Sequence, residues 1–420
     1  MLAKWDFGGH VSSLNSVQCA DSVWSGGFRV PLTDEEPNRE KLKVVLVHNR
    51  AMWYRLPFFN ALAQLYDLII FFTDTSSVEG LPGVKHEILR RRLADLRAIS
   101  FLQADVFASG LIFRLMVSDY DVVVGSLFDF ATFFMAKMRR KPFILWSETW
   151  HFSARESLSF KLLHPFFKFL ISHADAVLVP SQMHRAETVS LGARASKTFV
   201  MPNVSNMCVT SSDYRNAEEL RTKLALKGKR AIAYVGRLVE SKGVHYLIEA
   251  FAKLAAERDD VVLVCVGGGP FREQLESLCK RLHIGERVLF SGWVDLDITR
   301  NAHLIPYFLL CDVCVVPSIF QRGMPDPCPL VVNDAMSCGK PVIATTAVGS
   351  AYDEINHGTN GFIVPEKDSL ALYGAMRAVL ADPGTAEAMG AESKKVMEAG
   401  FTYSHMVSGF QSAISSLAGA

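Results

Sequence analysis

The chain has 420 residues, of which 50% are hydrophobic and 21% charged; it is long for one core, comfortable for two domains, and neither disordered nor fibrous. Its 44 basic residues nearly cancel 43 acidic ones, so no global field attracts nucleic acid and an anionic ligand must be held by local charges. Eight scattered cysteines without a cleaved signal pattern predict reduced thiols in a cytoplasmic protein, and no apolar run approaches the ~18 residues that span a bilayer.

Residues 1–40 mix Gly, Ser, Asn, Trp and charges without a period and read as a poorly determined arm. At Lys41 a β-branched run, KLKVVLVHNR, leads into WYRLPFFNALAQLY, where Leu56, Phe59, Leu62, Ala63 and Tyr66 recur at helical spacing. Further strand-like runs at Leu68–Phe72, Val122–Val124, Phe143–Trp146 and Ala176–Val179, with helical stretches between them, predict a parallel sheet covered on both faces over residues 41–205. In SETWH, Glu148 and His151 follow a strand on the side where a cleft would lie, and either could touch an acceptor hydroxyl, although a structural role is the favoured reading. The stretch FKLLHPFFKFLI, Phe160 to Ile171, reads first as a buried helix with snorkelling Lys161 and Lys168, interrupted at Pro165. Its second reading is a stripe for peripheral contact at the inner membrane face, near a lipid-linked acceptor.

Residues 206–228 are polar and charged, a linker carrying a short helix. A second alternating set over 229–400 then predicts another α/β domain of similar size, so that ligands belong at the carboxyl ends of the strands. Gly236-Arg237 ends one strand and Lys242-Gly243 enters the next helix, two cations spaced to clamp a diphosphate or simply solvated on a loop. Gly267-Gly268-Gly269 follows a buried-looking strand, allowing a phosphate or ribose close to the backbone, with a plain tight turn as the alternative. Asp295-Leu-Asp297 has a metal-pair spacing but reads as a solvated turn, and Cys311-Asp-Val-Cys314 lacks a second Cys/His pair; no metal site is expected.

The stretch PSIFQRGMPDPCPLVVNDAMSCGKPVIATTAVG, Pro317 to Gly349, carries Asp326 in a loop and Asp334 on the inward stripe of a nine-residue helix starting near Pro329 and ending at Gly339. Free amides near Leu330, Val331 and Val332 are expected to face an anion. Asp334, facing inward, needs hydroxyl partners, from a sugar or from the protein itself. A capping role for Asp326 and a structural role for Asp334 remain the alternatives.

Taken in order, GRLVESKG (236–243), VGGGP (266–270), SGWV (291–294), PDPCPLVVNDAMSCGKPVIAT (325–345) and AVGSAYDEINHGTNGFIV (347–364) resemble the retaining glycosyltransferases of GT-B architecture, glycosyltransferase family 4. The resemblance implies two facing Rossmann-like domains, with a UDP- or GDP-linked sugar on the second and a glycan or lipid-linked acceptor on the first. It further implies transfer with retention, no metal and no cofactor, and a final segment, 401–420, returning to the first domain. Arg237 and Lys242 match the diphosphate clamp, Gly236 and Gly268 its backbone, Leu330 and Val331 the helix entry, and Val294 a base contact. Asp326 and Asp334 match the two acids of the Glu-x7-Glu motif, which meet the transferred sugar and the ribose. Both are Asp where Glu is usual, one methylene shorter, which keeps a degenerate nucleotide-sugar-binding paralogue in view beside a nucleotide-sugar epimerase or phosphorylase-like enzyme.

Overall fold

The computed structural model describes residues 40–49, 52–73, 83–89, 110–150, 158–295 and 302–418; the expected N-terminal arm, His151 and Asp297 lie outside them, apart from the arm's last residue, Glu40. In the first half the elements are β1 (Lys43–His48), α1 (Leu56–Leu65), β2 (Asp67–Phe72), β3 (Lys85–Ile88), α2 (Leu111–Val117) and β4 (Val122–Ser126). They continue with α3 (Phe130–Met138), β5 (Phe143–Trp146), α4 (Leu158–His173), β6 (Ala176–Val179), α5 (Gln182–Ser190) and β7 (Thr198–Val200). The seven strands are parallel in the order β3-β2-β1-β4-β5-β6-β7, so the order reverses between β1 and β4. Strands such as FILW and AVLV are buried along their whole length because helices cover both faces.

The second half opens with α6 (Ser211–Lys223), β8 (Arg230–Val235), α7 (Val244–Glu257), β9 (Val261–Val266), α8 (Arg272–Arg281), β10 (Val288–Gly292), α9 (Ile305–Leu310) and β11 (Val313–Val316). It ends with α10 (Val331–Ser337), β12 (Val342–Thr345), α11 (Ala351–Glu354), β13 (Gly361–Val364), α12 (Ser369–Val379), α13 (Pro383–Gly400) and α14 (Tyr403–Ser415). Its six strands are parallel in the order β10-β9-β8-β11-β12-β13, reversing between β8 and β11. Crevices at such reversals lie outside the carboxyl ends of the strands, and there the two sheets confront each other. The architecture is α/β of the GT-B type.

Each sheet has a core on either side. On the first, α1 and α14 cover one face, with Phe58, Phe59, Leu62, Met406, Val407 and Phe410 fully enclosed. On the other face α2, α3 and α4 contribute Leu111, Leu115, Phe133, Phe167 and Leu170. Helix α14 is thus built into the first domain, and Tyr403 Oη donates to the Tyr54 carbonyl at 2.7 Å.

The structure corrects three local expectations. Helix α4 runs through Pro165, whose missing donor is tolerated on an exposed position. The helix expected near Pro329 is seven residues long, not nine, and starts at Val331. The Val332 amide is not free, because it donates to the Pro329 carbonyl at 3.2 Å in a tight first turn. Cys311 donates to the Phe308 carbonyl, and burial pushes its thiol up to about 12.

Candidate active site

Most of the residues expected on the donor side lie at the carboxyl edge of the second sheet. After β8 the chain turns at Gly236 and presents Arg237, whose side chain is exposed while its carbonyl accepts from Tyr234 Oη at 2.6 Å. After β9, Gly267 adopts φ +130, and a Cβ there would stand 2.0 Å from the Gly236 carbonyl oxygen. Only glycine lets these two loops close on each other. Gly268 is the one with open space: nothing lies within 4 Å of where its Cβ would be, while its carbonyl accepts from the Leu238 amide. Val294, past β10, is half-buried against the cluster under α9 and α10.

Lys242 ends a short 3-10 turn, Glu240–Lys242, that Gly243 closes in a left-handed conformation. A Cβ at Gly243 would meet the Pro317 carbonyl oxygen at 1.9 Å, so this turn is pressed onto the segment leaving β11. The close approach brings Lys242 Nζ to 2.5 Å from Asp326 Oδ2, which also accepts from Ser318 Oγ at 2.7 Å. Asp326 is held by its own backbone as well, its amide bonded to the Ala347 carbonyl and its carbonyl to the Gly349 amide. Lys242 and Asp326 are each a little under one-fifth exposed, an ion pair that is partly open to solvent.

Asp334 sits on the first turn of α10 in a different setting. It is 7% exposed, and its Oδ1 accepts from Ser205 Oγ, 2.6 Å away on the segment leaving the first domain. Burial pushes its carboxyl up to about 7, with the Ser205 hydrogen bond opposing. Next to it, Asn333 Nδ2 reaches the Glu354 carboxylate at 3.2 Å and the Asn203 carbonyl at 3.4 Å, and burial pushes Glu354 up to about 8.

Across the cleft, Glu148 lies two residues past β5 and is half-buried. It pairs with Arg55, which sequence reasoning missed. Arg55 precedes α1, is 2% exposed, stacks on the Trp146 ring 4.4 Å away and approaches Asn203 Oδ1 at 3.4 Å. Among the described residues its Nε and Nη1 find no hydrogen-bond partner, and the pair with Glu148, together with the Trp146 and Tyr54 rings, compensates for the buried cation. Burial would raise the Glu148 carboxyl, but the Arg55 charge outweighs it and holds the group below the usual range. A Trp-rich strand end facing a lone Arg after a short turn is a pattern that no local period reveals.

The two edges touch. Trp150 packs against Phe320 and Tyr352, the Gln182 amide donates to Asp353 at 2.6 Å, and His184 faces Cys328 at 3.7 Å while Ser181 holds its other nitrogen.

Comparison with known proteins identifies the family. The family model described as "Glycosyltransferase Family 4" matches residues 56–205, and that described as "Glycosyl transferases group 1" matches residues 216–396. The chain belongs to glycosyltransferase family 4. Among relatives of this family 4 chain, an uncharacterized glycosyltransferase of Methanocaldococcus jannaschii is 34% identical over 167 residues, 40% of each protein. A GDP-mannose-dependent alpha-(1-6)-phosphatidylinositol monomannoside mannosyltransferase of Mycolicibacterium smegmatis is 29% identical over 221 residues, 52% of this chain and 56% of that protein. The chain thus spans about half the length of the curated relatives it matches. Among solved structures, HepE of Anabaena in complex with UDP superimposes with a TM-score of 0.68 at 20% identity, covering 89% of this chain and all of that one, which shows the shared fold. Among the described residues no helix is long and apolar enough to cross a membrane.

Proposed function

We propose that the chain transfers a sugar from a UDP- or GDP-linked donor, held on the second domain, to a hydroxyl of a glycan or lipid-linked acceptor on the first. Transfer proceeds with retention of configuration and needs no metal. The observation that carries this reading is the meeting of Lys242 and Asp326, 84 residues apart, at the sheet edge that also carries Arg237 and Gly268 at strand ends. Arg237 and Lys242 supply the positive charge that a departing diphosphate requires, with Gly236, Gly268 and the backbone at Leu330 and Val331 lining the approach. The bond from the anomeric carbon to the diphosphate breaks with its electron pair on the leaving oxygen. The acceptor oxygen bonds to the same face of that carbon, and its proton passes to the phosphate. Asp326 orients the sugar and favours positive charge at the anomeric carbon, Asp334 takes the ribose hydroxyls, Val294 borders the base, and Glu148 meets the acceptor.

The test is the thermal midpoint of the protein with UDP, GDP, ADP and their sugars, repeated on Arg237→Ala. A ligand at 100 times its Kd adds about 2.7 kcal/mol of apparent stability. One nucleotide class shifting the wild type but not the variant supports the assignment; no shift with any of them overturns it. Product analysis then separates transfer from epimerisation, which isomerises the donor, and from phosphorolysis, which requires free phosphate.

One observation favours a second reading, binding without turnover: the short Asp334 carboxylate is buried and already accepts from Ser205. If restoring Glu at both 326 and 334 yields no transfer while nucleotide-sugar binding persists, that reading prevails.

A further inference from the structure

Arg55 and Glu148 span the point at which the first sheet reverses. Arg55 closes the turn Trp53–Arg55 that follows β1, Glu148 lies two residues past β5, and β4 runs between those strands. Crevices at such reversals receive ligands. His48, at the end of β1, joins them through the Trp146 ring, which is 5.2 Å from its own ring and 4.4 Å from the Arg55 guanidinium.

The two partners are built differently. The Arg55 amide donates to the Met52 carbonyl at 2.9 Å, its guanidinium lies against the Trp146 and Tyr54 rings, and Tyr403 of α14 donates to the carbonyl of the preceding residue at 2.7 Å. At 2% exposure it is out of reach of a ligand. The Glu148 side chain is 38% exposed, and the pair engages its Oε1. Stability alone explains a buried cation poorly, since an apolar residue of similar volume serves a core as well or better. What Arg55 does supply is a counter-charge: burial would raise the Glu148 carboxyl, and Arg55 holds it below the usual range.

The loop of Glu148 is also geared to the donor side. Trp150, two residues on, lies so close to Gly349 that a Cβ there would stand 2.7 Å from its ring, and the Gly349 amide donates to the Asp326 carbonyl at 3.0 Å. Two contacts therefore link this loop to that of Asp326.

We propose that Arg55 is a positioning residue: it binds Oε1 of Glu148 and so presents a charged carboxylate, through Oε2, to hydroxyls of a sugar acceptor in the cleft. The inference rests on the acceptor-side reading given above. An ionised carboxylate accepts hydroxyl hydrogen bonds more strongly than a neutral one, so Arg55 sets the affinity for the acceptor without touching it. The other titratable groups around the pair are His48 on β1, Tyr54 in the turn, Tyr403 on α14 and Cys328 beyond Asp326. Burial pushes Tyr54, Tyr403 and Cys328 up, which keeps them neutral near neutral pH. A proton gained by His48 at the acid end favours the ionised carboxylate, the opposite of the loss expected below.

The test measures binding of the octyl glycosides of glucose, galactose, mannose and N-acetylglucosamine to the full chain by calorimetry, from pH 5 to pH 8. At least one is expected to bind the wild type with an affinity that holds across this range. In Arg55→Met the affinity falls about ten-fold from pH 8 to pH 5, because burial without the counter-charge lets Glu148 take up a proton. Arg55→Lys, which keeps the charge, restores the flat profile. Glu148→Gln lowers the affinity about ten-fold at every pH. Should Arg55→Met not fold, Arg55→Gln, which keeps a donor to Oε1 but no charge, shows the same slope. A flat profile in the uncharged variants overturns the proposal, as does wild-type affinity in Glu148→Gln or the absence of glycoside binding to the wild type. UDP and GDP binding is measured alongside: if it fails while the glycoside slope persists, the donor reading falls and this inference stands; the converse result removes this inference alone.

Discussion

The loop that carries Asp326 and the helix that carries Asp334 treat the same side chain in opposite ways. Asp326 is partly exposed, rests on a lysine and a serine, and is fixed through both ends of its own peptide unit. Asp334 is almost enclosed, is bonded to one serine hydroxyl, and is pushed up to about 7 by burial. The difference teaches that a spacing motif specifies where two acids stand but not what surrounds them. A lysine and a serine pair with the first, whereas desolvation pushes the carboxyl of the second up.

The largest effect expected from breaking this contrast is at the cation. Lys242→Ala removes both the partner of Asp326 and the charge proposed to meet the leaving group, and should lower turnover by roughly 10²-fold or more. Wild-type turnover in this variant would refute the role given to the pair. Asp326→Asn should come next, lowering transfer by about 10²-fold while nucleoside diphosphate, bound without its sugar, holds as well or better because Lys242 is released. Calorimetry on the two ligands separates these terms.

At Asp334 the contrast is sharpened by pH. Its folded carboxyl binds a proton more tightly than the unfolded one, so stability declines as pH rises from about 4 to about 7 and flattens above. Asp334→Asn should remove that slope, amounting to a few kcal/mol at most. Glu354, pushed up to about 8, adds a slope of the same sign, so Glu354→Gln belongs in the same series of thermal midpoints. Donor affinity should improve between pH 6 and 8 in the wild type but not in Asp334→Asn, since a charged carboxylate accepts ribose hydroxyls more strongly. The smallest effect is Ser205→Ala, about 1 kcal/mol from one hydrogen bond, with the midpoint of the Asp334 titration moving further up.

Much of the fold was legible because parallel strands buried on both faces read as short apolar runs; Phe143–Trp146 and Ala176–Val179 were located to the residue. The edge strand Lys85–Ile88 was not, since KHEI is polar and half-exposed and carries no period. The site divides along the same line. Glycines and cations at strand ends can be picked out locally, whereas Arg55 meets Glu148 across 93 positions and Ser205 meets Asp334 across 129. Such partners follow from topology, and no window of sequence contains them.

Helix α14 carries a consequence for how the protein is made. Met406, Val407, Phe410 and Ala413 complete the core over β1 and β6, yet they follow every strand of the second sheet in the chain. The half that leaves the ribosome first is therefore completed only after the second domain has every residue of its sheet. A nascent chain halted before Tyr403 leaves Phe58 and Leu62 facing water, the kind of exposure on which chaperones act.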